Sequence, residues 1–154
     1  MQTINCKGTL IDLATPKVMG IINVTPDSFY DGGATTLESE IISQASQMLE
    51  QGATFLDVGG YSSRPGATDI SQQQEINRVV PAINAIIKQF PRALISIDTF
   101  RSEVAKQAVN AGACIVNDIS AGKLDPKMLQ TIGELQIPYC MMHMRGTPQT
   151  MKTL

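Results

Sequence analysis

The chain has 154 residues, enough for one domain with its own hydrophobic core. Hydrophobic residues make up 43% of it and charged residues 17%, and its net charge of −2 comes without a block of like charges, which leaves no case for nucleic-acid or membrane-surface binding. No apolar stretch approaches the roughly 20 residues that cross a bilayer, and the N-terminal residues lack the apolar core of a signal peptide.

The predicted elements alternate between apolar runs and amphipathic helical patterns. Residues 2–13 read as a short hairpin or lead-in segment. Five β-strands follow, near 17–23, 54–58, 93–98, 114–118 and 138–143. Four helices separate them: one with an apolar face over 37–49, one starting near Ser71 with Gln74 completing a capping box, one over 101–111, and one starting at Asp125-Pro126.

Polar residues stand at the C-terminal end of every predicted strand. They are Asn23, Asp57, Asp98, the pair Asn117 and Asp118, and His143. In folds built on parallel strands, the carboxyl ends of the strands open onto the ligand site. This convergence of polar groups predicts an active site at that edge.

Two architectures fit five βα units. One is an open, doubly wound sheet, and the other is a (β/α)8 barrel of which the chain supplies the first part. The pattern alone slightly favours the open sheet, because five strands cannot close an eight-stranded barrel.

The cysteines indicate a cytoplasmic protein with reduced thiols. Cys6, Cys114 and Cys140 are an odd number without metal-ligand spacing, and the last two lie in apolar runs, where cysteine packs as a small hydrophobe. Because His143 is the single histidine, a zinc site built from several histidines is excluded.

Two glycine-rich loops follow the first two strands. The first lies within residues 20–33, where Pro26-Asp27 and Gly32-Gly33 predict turns. The second, residues 59–67 (GGYSSRPGA), combines adjacent glycines, hydroxyl groups and Arg64, a pattern suited to an anion. Each is also compatible with an ordinary surface loop.

Taken together, these loops closely resemble the two signature sequences of dihydropteroate synthases. The resemblance continues in order through SIDT at 96–99, VNDI at 116–119 and MHMRGTP at 142–148, and so covers nearly the whole chain. It implies an α/β fold, the (β/α)8 TIM barrel, in which residues 1–154 supply the hairpin and about the first five βα units. It also implies condensation of 7,8-dihydropterin-6-ylmethyl diphosphate with p-aminobenzoate, giving dihydropteroate and diphosphate for folate synthesis.

The resemblance also assigns roles to individual residues. Asp98 and Asn117 match the pterin-binding positions, and Asp98 would stabilise a developing pterin-methyl cation. For Asp98 the alternative is N-capping of the following helix. Asn23 matches the position that touches Mg²⁺ on the diphosphate, the one cofactor that the family implies.

The loop residues complete the implied site. Ser63 and Arg64 match the place where pterin diphosphate and aminobenzoate meet, while Phe29 and Pro65 help to enclose the aminobenzoate ring. Asp31 is assigned, with Arg64 and Asp98, to the catalytic set.

The end of the fifth strand supplies further candidates. Met142 and His143 match the strand end beneath the pterin, where His143 is expected to shape the pocket rather than act as a base. We expect Asp57 to be a structural carboxylate inside the barrel.

The chain departs from the family pattern in two ways. Tyr61 stands where glutamate is usual and Ser63 where threonine is usual, so the role of Tyr61 is open. The last three βα units of the family, with their pterin and diphosphate contacts, have no counterpart here, so we expect a fragment that is inactive alone. When complete, it would be a homodimer and a sulfonamide target.

Two other functions fit part of the pattern. A pterin-dependent methyltransferase holds a similar ring with comparable residues, but has no need of the two loops. A non-catalytic, pterin-binding half-barrel would bind pterin diphosphate without turnover.

Overall fold

The computed structural model describes residues 2–24, 34–62 and 69–146, with the backbone alone for 34–36. Its elements in chain order are β1 (Thr3–Cys6), β2 (Thr9–Asp12), β3 (Met19–Asn23), α1 (Ala34–Glu50), β4 (Phe55–Gly59), α2 (Gln72–Gln89), β5 (Leu94–Asp98), α3 (Ser102–Ala111), β6 (Ile115–Asp118), α4 (Met128–Leu135) and β7 (Tyr139–Met141).

The five later strands form one parallel sheet in the order β3-β4-β5-β6-β7, and β1 and β2 form a separate antiparallel hairpin. Each strand therefore pairs with the next strand along the chain. A doubly wound sheet instead reverses its strand order at a switch point, and this sheet has no such point. The slight preference of the pattern for an open doubly wound sheet was therefore wrong, and the barrel order is the one observed.

The two faces of the sheet differ in what covers them. On the outer face, strand residues such as Leu56, Val58 and Ile97 are fully buried in the core that the helices share. On the inner face, the hairpin covers the lower end, where Cys6 packs with Phe55 and its neighbours. Farther along β3, Ile21 points to the same face and is 62% exposed. The upper part of the inner face is open.

Two predicted helix boundaries, the start of α2 and the end of α3, are confirmed by their local geometry. The Ser71 hydroxyl accepts from the Gln74 N–H at 3.2 Å, and the Gln74 side chain accepts from the Ser71 N–H at 2.9 Å, which completes the capping box of α2. Helix α3 ends at Gly112, whose φ of 134° is a conformation that side chains rarely adopt.

The start of the fourth helix was predicted wrongly. Helix α4 begins at Met128, not at the Asp125-Pro126 pair. The Asp125 carboxylate accepts from the Lys127 N–H at 2.9 Å and from the Ser102 N–H, at the start of α3, at 2.7 Å. Asp125 therefore ties the start of α3 to the turn that precedes α4, a contact between segments far apart in sequence.

The three cysteines are free thiols, as predicted. Cys6 and Cys114 are buried together, and burial, with the nearby Cys114, raises the pKa of the Cys6 thiol to about 12. Cys140 is exposed on short strand β7, so its expected burial in an apolar run was wrong.

Candidate active site

One row of residues crosses the carboxyl ends of the strands. Strand pairing sets Asn23 beside Gly59, Gly59 beside Asp98, Asp98 beside Asn117, and Asn117 beside Cys140. We call these five residues the site row. Because paired residues in neighbouring strands point to the same face, the row lies on the open inner face.

Gly59 keeps the middle of the site row open. A Cβ atom at this position would lie 3.4 Å from both Cβ and Oδ2 of Asp98. Any side chain here would thus fill the space beside the Asp98 carboxylate. The glycine leaves that space to a ligand.

Asp98 carries the one carboxyl group of the site row, and the pKa of that group is raised. Burial raises its pKa to about 7, and the nearby carboxylates of Asp57, Glu75 and Asp118 add to the effect. The side chain is nevertheless only half-buried. The group is thus poised to change protonation near neutral pH when a ligand supplies donors or positive charge.

Below the site row lies a second layer, formed by Asp57 and Ser96, which pair across β4 and β5. We call these two residues the floor. Both are buried, with Asp57 5% exposed and Ser96 fully buried. Among the described residues, Asp57 Oδ1 and Ser96 Oγ have no hydrogen-bond partner. The Ser96 hydroxyl lies near enough to favour the charged form of Asp57, but not in hydrogen-bond geometry.

The floor orients Asn117. The Asn117 Nδ2 atom donates to Asp57 Oδ2 at 2.9 Å, which leaves Asn117 Oδ1 as the acceptor turned away from the floor. Burial raises the pKa of Asp57, while Ser96 and Asn117 oppose that rise. The site row therefore presents two acceptors side by side, the Asp98 carboxylate and the Asn117 amide oxygen.

Two of the polar residues expected to converge at the strand ends do not belong to the site row. Strand β4 continues past Asp57 to Gly59, so Asp57 lies one layer below the strand end. Asp118 does end its strand, but it points to the outer face, where its carboxylate accepts from the Tyr139 hydroxyl at 2.6 Å and from Ser120 and Gly122. Asp118 organises the turn after β6 and does not belong to the site row.

Met142 and His143 lie beyond the end of β7. The strand ends at Met141 rather than at the predicted His143. Met142 is 46% exposed, its N–H donates to the Asp118 carbonyl at 3.1 Å, and His143 is also exposed. Both residues are accessible from the carboxyl end of the sheet.

The candidate residues of the two loops are Phe29, Asp31, Ser63, Arg64 and Pro65. All of them lie outside the residues that the structure describes. Their roles therefore remain predictions.

The structure adds a cluster that the sequence interpretation missed. Glu75 of α2 is fully buried and accepts from the Thr99 hydroxyl and from Arg101 Nη1, each at 2.7 Å. Burial raises the pKa of Glu75, and Thr99 and Arg101 oppose the rise. Glu75 stands four residues before Val79 and eight before Ile83, on the apolar stripe of α2. This position could have indicated from the sequence that the carboxylate is buried and needs a partner.

Tyr61 belongs to the same cluster. Its ring lies 5.0 Å from that of Phe100, edge to face, and the Arg101 guanidinium carbon lies 5.2 Å from the Tyr61 ring centroid. We call Glu75, Thr99, Arg101, Tyr61 and Phe100 the Arg101 cluster.

The chemistry of Asn23 fits a magnesium ion that arrives with a phosphate ligand. Asn23 is exposed at the end of β3 and offers one amide oxygen. Mg²⁺ is usually held by one or two protein ligands together with substrate phosphates. Within residues 2–24, 34–62 and 69–146, no group of three or more His, Cys, Asp or Glu residues is placed to hold a metal ion.

A cleft at the opposite end of the sheet has different chemistry. Its volume is about 450 Å³, and its lining includes Cys6, Cys114 and Leu94 with the cationic Lys7 and Arg92. It contains no carboxylate and no side-chain amide.

No helix in the described part of the chain is long and apolar enough to cross a membrane.

Comparison with known proteins gives a consistent result. A family model described as pterin binding enzyme matches residues 19–154. The chain is 53% identical over 141 residues to the folic acid synthesis protein fol1 of Pneumocystis carinii, covering 92% of this chain and 19% of that protein. It is 44% identical over 146 residues to the dihydropteroate synthase of Escherichia coli, covering 95% of this chain and 51% of that protein. The chain thus spans about half the length of the bacterial relative.

A solved structure agrees. Dihydropteroate synthase of Xanthomonas albilineans with 4-aminobenzoic acid matches with a TM-score of 0.85 at 41% identity, over 93% of this chain and 52% of that one. The enzyme of that species in complex with 7,8-dihydropteroate matches with a TM-score of 0.81 at 37% identity, over 94% of this chain and 52% of that one. The predicted fold, five βα units of a TIM barrel after an N-terminal hairpin, is confirmed.

Proposed function

Because the chain belongs to the family of pterin-binding enzymes, we propose that it forms the N-terminal half of the barrel of a dihydropteroate synthase. The proposed reaction joins 7,8-dihydropterin-6-ylmethyl diphosphate to p-aminobenzoate and releases diphosphate. The names of the relatives support this reaction over that of a pterin-dependent methyltransferase, the second enzyme that the sequence left open.

The observation that carries the proposal is the acceptor pair of the site row. A pterin ring presents ring N–H and amino donors along one edge. Asp98 and Asn117, on adjacent strands, present a carboxylate and an amide oxygen, and Asp57 holds that amide in its accepting orientation. A half-buried carboxylate without donors is costly, and donors from the ligand remove that cost.

Asp98 also suits the chemical step. In the proposed reaction the diphosphate leaves first, a pterin-methyl cation develops, and the aromatic amine adds to it. Ring donors favour the ionised form of Asp98, whose pKa of about 7 in the free protein leaves it ready to lose its proton. The resulting fixed negative charge stabilises the developing cation.

The two loops supply the rest of the proposed site. We assign Ser63 and Arg64 to the region where the diphosphate and p-aminobenzoate meet, and Phe29 and Pro65 to the walls around the p-aminobenzoate ring. Asp31 joins Arg64 and Asp98 in the catalytic set. Loops around the substrates would exclude water from the cation.

The other assignments concern Mg²⁺ and the strand end. We propose that Asn23 contacts Mg²⁺ bound to the diphosphate, where the ion would neutralise charge on the leaving group. Met142 and His143, exposed past β7, would border the pterin and shape its pocket.

For the full-length protein we further propose a homodimer, a cytoplasmic location and inhibition by sulfonamides. These rest on the family resemblance, and sulfonamides in particular would compete with p-aminobenzoate.

A coupled diphosphate-release assay tests the reaction. The full-length protein, Mg²⁺ and the pterin diphosphate should release diphosphate only when p-aminobenzoate is added. The matched variants are Asp98→Asn, expected to lose most of the activity, and Asp12→Asn on the hairpin, expected to keep it. The same assay on residues 1–154 alone tests the expectation that they are inactive.

The other outcomes point to the alternatives. Binding of pterin diphosphate without release by the full-length protein would favour a non-catalytic, pterin-binding role. Neither binding nor release by the full-length protein would contradict the proposal. Methyl transfer from a folate-type donor, without diphosphate release, would favour the methyltransferase.

A further inference from the structure

Arg101 contacts residues that lie 26 or more positions earlier in the chain, and it also contacts its sequence neighbour Phe100. Its Nη1 atom donates to the buried Glu75 of α2, and its Nη2 atom donates to the carbonyl of Ile70 at 2.7 Å. Its guanidinium carbon lies 5.2 Å from the ring centroid of Tyr61 and 5.1 Å from that of Phe100. The side chain is 17% exposed, so these contacts are largely shielded from water.

Two of these contacts flank residues 63–67 of the second loop. Tyr61 is two residues before Ser63, and Ile70 is the residue before Ser71, the N-cap of α2. Arg78 holds the first flank as well, since its Nη1 atom donates to the Gly60 carbonyl at 2.9 Å. Both flanks are thus held by arginine side chains, Arg78 of α2 and Arg101 between β5 and α3.

Arg101 is itself held in place. Glu75 fixes one side of the guanidinium fork, and the Thr99 hydroxyl both donates to Glu75 and accepts from the Arg101 N–H at 3.1 Å. The Thr99 N–H in turn donates to the carbonyl of Asn117, a residue of the site row, at 3.0 Å. The contact with exposed Asp69 is longer, at 3.5 Å, and adds little.

We propose that Arg101 is a positioning residue for the second loop: it fixes Tyr61, which follows strand β4, and Ile70, which precedes helix α2, on either side of residues 63–68. Tyr61 acts together with Arg101, and we call this pair of residues the clamp. The Tyr61 ring packs against the Arg101 guanidinium and against Phe100, and we infer that this contact is the role of the tyrosine at position 61. Between the two flanks lie Ser63, Arg64 and Pro65, which the proposed function assigns to the substrates. The expected effect of Arg101 on catalysis therefore rests on the proposed function.

The clamp depends on the shape of the arginine side chain as well as on its charge. A lysine at position 101 keeps a positive charge for Glu75, but it has neither the fork that reaches Ile70 nor the flat face that packs on Tyr61. Arg101→Lys should therefore weaken the contacts with Ile70 and Tyr61 while it keeps a positive charge next to the buried Glu75. The double variant Glu75→Gln/Arg101→Gln removes both charges together, so no charge is left buried alone.

Amide hydrogen exchange and kinetics on the full-length protein test the inference. In Arg101→Lys and Tyr61→Ala, exchange of amides at residues 60–62 and 69–71 should rise about tenfold, while exchange in β5 and α3 stays as in the wild type. The KM for p-aminobenzoate should rise about tenfold, with a smaller change in kcat. The double variant should show the same pattern, and Arg92→Gln, near the other end of β5, should change neither quantity.

Two results would overturn the inference: unchanged exchange at both flanks in these variants, or an increase that spreads equally through β5 and α3, as a purely structural role predicts. If the wild-type protein releases no diphosphate, the proposed reaction fails instead. The exchange measurement then still decides the role of Arg101.

Discussion

Asp98 and Asn117 place two acceptors next to each other on the inner face of the sheet. Asp57 determines which end of the Asn117 amide faces the ligand, since it accepts from the nitrogen. In the proposed function, recognition of the pterin ring would depend on this carboxylate in the layer below as well as on Asp98 and Asn117.

The variant Asp98→Asn should bind 7,8-dihydropterin-6-ylmethyl diphosphate roughly tenfold to a hundredfold more weakly. The amide keeps one acceptor oxygen, but it turns N–H donors towards the donors of the ring. Isothermal titration calorimetry measures the affinity, with Asp12→Asn on the hairpin as the matched control. Equal affinity of wild type and Asp98→Asn would contradict the assignment of Asp98.

The same variant should be at least as stable as the wild type at pH 8. The pKa of Asp98 in the folded protein is about 7, above the usual 3.8. The stability contributed by the neutral carboxyl group is present in full below pH 3.8 and is lost as the pH rises through 7. Thermal unfolding at pH 5 and pH 8 should thus show a relative gain for Asp98→Asn at the higher pH, and a relative loss would contradict the raised pKa.

The affinity for the pterin should depend on pH in a defined direction. Because the donors of the ring bind the carboxylate, Asp98 must lose its proton on binding whenever the pH is below about 7. Affinity should then fall by up to about tenfold per pH unit below 7 and level off above it. Titrations between pH 5.5 and 8.5 in buffers of different ionisation enthalpy measure both the slope and the proton release. Asp98→Asn should have a flatter profile.

At the scale of the elements, the packing of β4 against α2 sets the base of the second loop. A Cβ atom at Gly60 would lie 2.8 Å from Val79 Cγ1 and 3.3 Å from the Glu75 carbonyl oxygen. Gly60→Ala should therefore lower the free energy of unfolding by about 1–3 kcal/mol, because α2 must move. Urea denaturation measures the change.

Gly133→Ala is the matched control for that substitution. Gly133 lies within α4, with nothing within 4 Å of an added Cβ atom, so alanine should stabilise the helix by up to about 1 kcal/mol. A Gly60→Ala protein as stable as wild type would show that β4 and α2 are not closely packed at this point.

The elements that the sequence predicted best are those fixed by local patterns. The capping box of α2 needs only Ser71 and Gln74, and the apolar stripe of that helix follows from its own period. The position of Asp57, one layer below the strand ends, could not be predicted from a local pattern. Strand β4 extends to Gly59 because Gly59 pairs with Asp98 of β5, a register that only the folded sheet defines.

The contacts missed from the sequence join distant segments. Arg101 and Glu75 are 26 residues apart, and Asp125 reaches Ser102 across 23. Neither pair has a spacing that marks a local motif, so only the packing of α2 on α3 and of α3 on α4 brings them together. The acceptor role of Asn117 likewise follows from Asp57, 60 residues earlier in the chain.

For the whole molecule, the strand order and the open inner face belong together. Each strand pairs with its neighbour in sequence, as in a barrel, while the helices bury the outer face. The inner face is covered by the hairpin at its lower end and open at the carboxyl ends of the strands, where Asn23 is exposed. The site row is therefore accessible to a ligand from the carboxyl ends of the strands.

The central claim is that a pterin ring binds against the site row. A crystal structure of the full-length protein with 7,8-dihydropterin-6-ylmethyl diphosphate tests it most directly. We predict ring N–H and amino groups within about 3 Å of the Asp98 carboxylate and of Asn117 Oδ1. A ring bound elsewhere, such as in the cleft lined by Cys6, Lys7 and Arg92, or one that turns only acceptors towards Asp98, would contradict the account.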